Sequence, residues 1–138
     1  NGFSPAQRYR ALNWLKEQQR QGKRGHAQYC MACDQEHGVI DLHSEDYSEP
    51  FGDHIGRFSL CFVCHMMIHC RHRARDAFER HCDDIEQGAM FPPFYSRNFP
   101  AFKTLFLNSR PFPVIYEGTR SDLLRRIARG DYVQTKGG

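Results

Sequence analysis

No stretch of the chain runs apolar for the roughly 18 residues that a membrane helix needs, and the first residues lack the apolar core of an export signal. The expectation is a soluble, cytoplasmic protein with no membrane partner. No internal repeat is present, and 138 residues suffice for one buried core but not for two independent ones. The chain opens on Asn1 rather than Met, which fits a piece of something longer.

Charge of one sign is missing from long stretches. Residues 1–24 carry six Lys/Arg against a single acid, Glu17, while residues 25–56 carry seven Asp/Glu and no Lys or Arg at all. Basic residues return with Arg57, Arg71, Arg73, Arg75, Arg120, Arg125, Arg126 and Arg129. Basic flanks around an acidic, histidine-bearing centre suit a polyanion held at its sides with cations in the middle. Solvated helix faces would produce the same runs.

Local signals predict the elements. Ser4-Pro5 reads as an N-cap with Pro at N1, followed by Tyr9, Leu12 and Leu15 at helical spacing, so 1–24 is expected to hold a basic amphipathic helix. GVIDLH (38–43) and RFSLCF (57–62) read as strands separated by a polar loop. Residues 65–87 contain neither Gly nor Pro and read as one long helix with Ile68, Ala74, Phe78, Cys82 and Ile85 on its buried stripe. The Phe/Pro-rich stretch from residue 88 to 113 predicts an irregular wrapping segment with a helical turn near 101–107. Its aromatics either cover a small core or offer a partner surface or base-stacking platform. Thr119 and Asp122 resemble a capping box opening a helix with Leu123, Leu124 and Ile127, and 134–138 reads as a loose tail. The expected class is α+β.

Six cysteines could pair as disulfides, yet four of them form two Cys-x-x-Cys units, Cys30 with Cys33 and Cys61 with Cys64. A structural zinc ion takes four soft ligands in a tetrahedron, which two such units supply; disulfides or buried thiols are the competing readings. Cys70 and Cys82 fall on different sides of the predicted helix and read as core residues. His65 and His69 stand one helical turn apart and aim two imidazoles at one point. His43, at the end of the first strand, is placed to add a third nitrogen, leaving coordination positions open for water and a substrate oxygen.

The order His43, Glu45-Asp46-Tyr47-Ser48-x-Pro50, Leu60-Cys61-x-x-Cys64-His65-x-x-x-His69 resembles the HNH endonuclease family, especially its zinc-knuckle members in phages and mobile elements. The likeness covers residues 30–72. It implies a ββα-metal core across 25–87, with the basic helix of 1–24 before it and the aromatic segment and a short helix in 88–138 behind it. It implies a structural Zn²⁺ on Cys30, Cys33, Cys61 and Cys64, and one catalytic divalent cation (Mg²⁺, Mn²⁺, Ni²⁺ or Zn²⁺) on His43, His65 and His69. The implied activity is DNA phosphodiester hydrolysis in a bacterial or phage setting, with Arg71, Arg73 and Arg75 on phosphates and a homodimer where cleavage is specific.

Two positions depart from the family. Its strand ends in two adjacent site residues, a metal ligand and then a general base; here they read His43-Ser44, and a serine hydroxyl is no base near neutral pH. The proton acceptor then falls to Tyr47, His54 or a metal-bound hydroxide, or a shifted register makes His43 the base with Asp41 nearer the metal. The Asn or Asp expected about five residues before Cys61 falls near Gly56, with Asp53 or His54 as substitutes. The competing function is a zinc-stabilised DNA-binding or regulatory module whose catalysis is impaired or lost.

Overall fold

The computed structural model describes residues 2–108 and 114–131; residues 110–113 of the aromatic stretch and the tail at 134–138 lie outside the described residues. The architecture is mixed α+β. Helix α1 (Pro5–Arg20) opens on the Ser4 cap, whose hydroxyl accepts from the Gln7 amide while the Gln7 side chain accepts from the Ser4 amide. Its buried face is Ala11 and Leu15, one turn apart, packed against Ile55, Leu42 and Trp14 in a small second core. Tyr9 and Leu12, expected on that face, are exposed, while Ala11 and Leu15 pack with Ile55.

Strands β1 (Ile40–His43) and β2 (Phe58–Cys61) form a two-stranded antiparallel sheet with Ile40 opposite Cys61 and His43 opposite Phe58. Helix α2 (Phe62–His69) follows β2 without a linker, with Cys61 as its N-cap. The long helix predicted for 65–87 is divided: α2 ends at His69 with Cys70 as its C-cap, and α3 (Arg75–Glu86) starts after a turn. No Gly or Pro marks that break. Arg71 explains it physically, since its guanidinium donates to the Ile68 carbonyl, satisfying an end carbonyl of α2, and is drawn across to Glu45.

Helix α4 (Phe99–Phe102) runs into a π-helical turn (Lys103–Asn108), and α5 (Leu123–Arg129) closes the described chain. The Thr119–Asp122 capping box does not form: Thr119 donates to the Ala32 carbonyl, and the Leu123 amide donates to Ser121 Oγ instead. The main core joins Phe62, Val63, Met67 and Ile68 of α2 to Phe78 and Ile85 of α3 and to Leu124 and Ile127 of α5. Phe91, Phe102 and Phe106 are fully buried against it, with Phe102 stacked on Phe106 at 5.6 Å and Phe94 against Phe62 at 5.1 Å. The aromatic segment thus covers the core. No helix among the described residues is long and apolar enough to cross a membrane.

Candidate metal centres

The first cysteine pair lies on a turn brought alongside β2 by the Met31 amide, which donates to the Ser59 carbonyl. The second pair straddles the end of β2 and the first turn of α2, so all four sulfurs meet where sheet and helix join. Cys30, Cys33, Cys61 and Cys64 are buried and free, with their sulfurs all within 4.8 Å of one another. Cys33 and Cys61 Sγ are 3.7 Å apart, far beyond the ~2.05 Å of a disulfide and close to the ~3.8 Å edge of a tetrahedron with ~2.3 Å Zn–S bonds. Within each pair the second backbone amide points at the first sulfur, Cys33 N to Cys30 Sγ at 3.4 Å and Cys64 N to Cys61 Sγ at 3.5 Å.

The thiols alone are electrostatically unequal. Burial opposes ionisation of Cys30, yet hydrogen bonds from Cys33, Cys61 and Cys64 bring it well below the usual thiol range. Cys61 is held well above it by the bonds it makes to Cys30 and Cys33, and Cys64 by burial. Ionisation is thus favoured at Cys30 and opposed at Cys61 and Cys64, and a divalent cation bound there would take the set as thiolates. This donor set can hold a structural metal such as zinc. Sequence reasoning missed one neighbour: His81 of α3, fully buried, places Nε2 3.3 Å from Cys64 Sγ with its ring against Phe91 at 4.4 Å. Cys70 caps α2, while Cys82 sits on α3 with its thiol pushed up to about 12 by burial; both are buried outside the cluster.

His43, His65 and His69 form the other centre. One nitrogen from each lies within 4.8 Å of the others, and the rings sit 4.7 to 5.0 Å apart between centroids. His43 reaches the centre from the last position of β1, and the two helical histidines from one face of α2. His65 Nε2 and His69 Nε2 are 3.0 Å apart, which matches neighbouring corners of an octahedron with ~2.1 Å metal–nitrogen bonds as well as an N–H···N bond.

Two carboxylates set the tautomers. A carboxylate only accepts, so Asp41 Oδ2, 3.1 Å from His65 Nδ1, puts that proton on Nδ1 and leaves Nε2 with its lone pair. Glu45 Oε2, 2.6 Å from His43 Nε2, does the reverse and leaves Nδ1 bare. Burial, with the charge of His65, keeps His43 below the usual imidazole range against the pull of Glu45. His69 is pushed down to about 4, by burial first and then by His65 and His43. Imidazoles held neutral are imidazoles able to ligate. Glu45 is itself held below the usual carboxylate range, its burial outweighed by His43 and by Arg71, which donates to both oxygens at 3.1 and 2.8 Å.

The cleft beside the triad, about 250 Å³, is lined by His43, Ser44, Glu45, Tyr47, His69, Arg71 and His72, with Arg8 of α1 at its rim. Ser44 is buried, and its hydroxyl accepts from the Gly56 amide at 2.6 Å. The two departures from the family pattern thus meet each other, serine to glycine. Gly56 has φ +64°, and a Cβ there would lie 2.8 Å from Leu15 Cδ2, so any other residue there is strained. Tyr47 packs edge-on to Phe3 and under Arg8, with burial raising its hydroxyl above the ordinary phenol range. His54 donates Nε2–H to the Ser48 carbonyl and is outside the cleft lining.

Of the arginines expected on phosphate, Arg71 pairs with Glu45, Arg73 reaches Cys70 Sγ at 3.5 Å, and Arg75 lines a neighbouring cleft with His72 and Arg129. Arg125 is held by Glu79, Asp83 and Glu86. No family model, curated protein or solved structure matches the chain.

Proposed function

We propose that the chain is a metal-dependent endonuclease of HNH type that hydrolyses DNA phosphodiester bonds, with β1, β2 and α2 as its ββα-metal frame. The observation that carries this reading is the convergence of His43, His65 and His69 beside an open cleft, each of the first two backed by its own carboxylate. A structural zinc site needs four closed ligands, whereas three nitrogens facing a cleft leave positions for water and substrate. A divalent cation held there supplies Lewis-acid polarisation of the scissile phosphate and charge for the departing oxygen.

The chain's own residues supply the rest. Asp41 holds His65 in the tautomer that leaves Nε2, the nitrogen facing His69, able to ligate; Glu45 holds the proton of His43 on Nε2, and Arg71 fixes Glu45. Arg8 and His72 line the cleft where a phosphate backbone would enter. Tyr47, its hydroxyl protonated at neutral pH, is able to donate a hydrogen bond there. Ser44 supports the loop and takes no part in proton transfer. His72 lines the cleft beside the triad, whereas His54 lies outside the cleft lining.

The Ser44–Gly56 bond favours a second reading, a zinc-stabilised DNA-binding module without catalysis, because the hydroxyl at the family's base position is already engaged. The two part in a nicking assay on supercoiled plasmid, using zinc-loaded protein with Mg²⁺, Mn²⁺ or Ni²⁺. The nuclease reading expects cation-dependent nicking that His43→Ala and His65→Ala reduce to background. Equal trace cutting by all three proteins, with DNA still retarded in a gel, would leave the binding module.

A further inference from the structure

We infer that Arg97, in the aromatic segment, is a positioning residue of the histidine centre that acts through Asp41. The inference rests on reading the triad as a cation site. Arg97 donates from both Nε and Nη2 to Asp41 Oδ1, at 3.2 and 2.5 Å, while the other oxygen, Oδ2, holds His65 Nδ1 at 3.1 Å. Each carboxylate oxygen therefore has one task. With Oδ1 occupied by a two-pronged donor, the carboxylate plane is fixed and Oδ2 stays on the Nδ1 proton of His65. With Oδ1 released, the carboxylate is free to turn, or to approach the cation itself as a direct ligand.

The segment is built to hold Arg97 in place. Three residues earlier, the Phe94 carbonyl accepts from the Val39 amide at 2.7 Å, just before β1, and the Phe94 ring packs on Phe62 and Phe106. The next residue, Asn98, caps α4 by accepting from the Ala101 amide at 3.0 Å. Arg97 is thus anchored on both sides, although its own side chain is 66% exposed against 14% for Asp41. An exposed arginine contributes little to stability by ion pairing, so its consequence is expected at the metal centre and not in the melting curve. Burial of Asp41 is outweighed by its bonds to His65 and Arg97, which keep the carboxyl below the usual range and so able to accept from both.

The test measures Ni²⁺ binding by titration calorimetry on zinc-loaded wild type, Arg97→Ala, Arg97→Lys and Asp41→Asn, and reads the His65 tautomer by ¹⁵N NMR. Losing a carboxylate partner of a metal-bound histidine weakens binding about 10–100-fold, so Asp41→Asn should fall in that range and Arg97→Ala about five- to tenfold short of wild type, with Arg97→Lys between. The His65 Nδ1–H tautomer of wild type should give way to a mixture in Arg97→Ala, with an unchanged melting temperature. Wild-type affinity within twofold and an unaltered tautomer in Arg97→Ala would overturn the role of Arg97 alone. A wild type that takes up no Ni²⁺ beyond its zinc would overturn the reading of the triad, and this role with it.

Discussion

Removing one sulfur from the cysteine cluster should unfold the centre of the chain, and Cys61→Ser is the cleanest way to ask. Cys61 has two jobs: its sulfur belongs to the cluster, and it is the N-cap of α2, accepting from the Cys64 amide. Serine is a strong N-cap, so the substitution keeps the helix start while removing a thiolate ligand. The sheet that α2 leans on has only four residue pairs, and all four cysteines lie inside the main core. Besides the cluster, the turn at Cys30 is tied to β2 by contacts of Ser59 with Met31 and Tyr29. A structural zinc ion contributes an apparent ~10–16 kcal/mol, as much as the whole ~5–15 kcal/mol net stability of a domain. A loss of only about 5 kcal/mol lowers Tm by roughly 15 °C in a chain of this length. Circular dichroism melts in reducing buffer, with and without a zinc chelator, should show wild type losing its cooperative transition on chelation and Cys61→Ser lacking it throughout. A reduced, metal-free wild type that melts where the untreated protein does would refute the reasoning, as would a variant within two or three degrees of it.

Ser44→Ala strands the buried Gly56 amide and should cost about 1–3 kcal/mol in urea unfolding, while Ni²⁺ affinity and nicking stay at wild-type values; a large loss of nicking with intact stability would return Ser44 to the chemistry. Glu45→Gln leaves Arg71, 15% exposed, without its counter-charge, and the loss in this partly buried pair should be about 1–3 kcal/mol, read again from urea curves. Stability should fall on acidification. His43 and His69 have folded pKa values below the ordinary imidazole value, so the unfolded chain binds more protons, and their contribution is lost as pH drops from about 6.5 toward 4. Asp41 and Glu45, also depressed, lose theirs below the ordinary carboxylate range, in the same direction; melts between pH 7 and 4 that stay level would contradict this.

What was legible in the sequence was local. The two Cys-x-x-Cys units and the one-turn spacing of His65 and His69 are short-range patterns, and the Ser4-Pro5 start of α1 is a backbone rule written in two residues. The division between α2 and α3 was not legible, because no breaker residue marks it and the cause, Arg71 turning to Glu45, spans 26 residues. The supporting shell was hidden for the same reason. Asp41 meets His65 across 24 residues, His81 meets Cys64 across 17, and Arg97 meets Asp41 across 56. Nothing in a neighbouring residue's identity announces such pairs. Tyr9 and Leu12 misled because helical spacing names a face but not which face the fold buries; the buried face carries Ala11 and Leu15.

The central claim is that the histidines hold a second cation separate from the cysteine-bound one. Crystals of the zinc-loaded protein soaked in Mn²⁺ or Ni²⁺ test it most directly, through the anomalous signal of the added metal. The account predicts one peak among His43, His65 and His69, with metal–nitrogen distances of about 2.0–2.2 Å, and Asp41 and Arg97 still paired behind His65. A triad with no peak, or an added cation seated only elsewhere on the molecule, would contradict it.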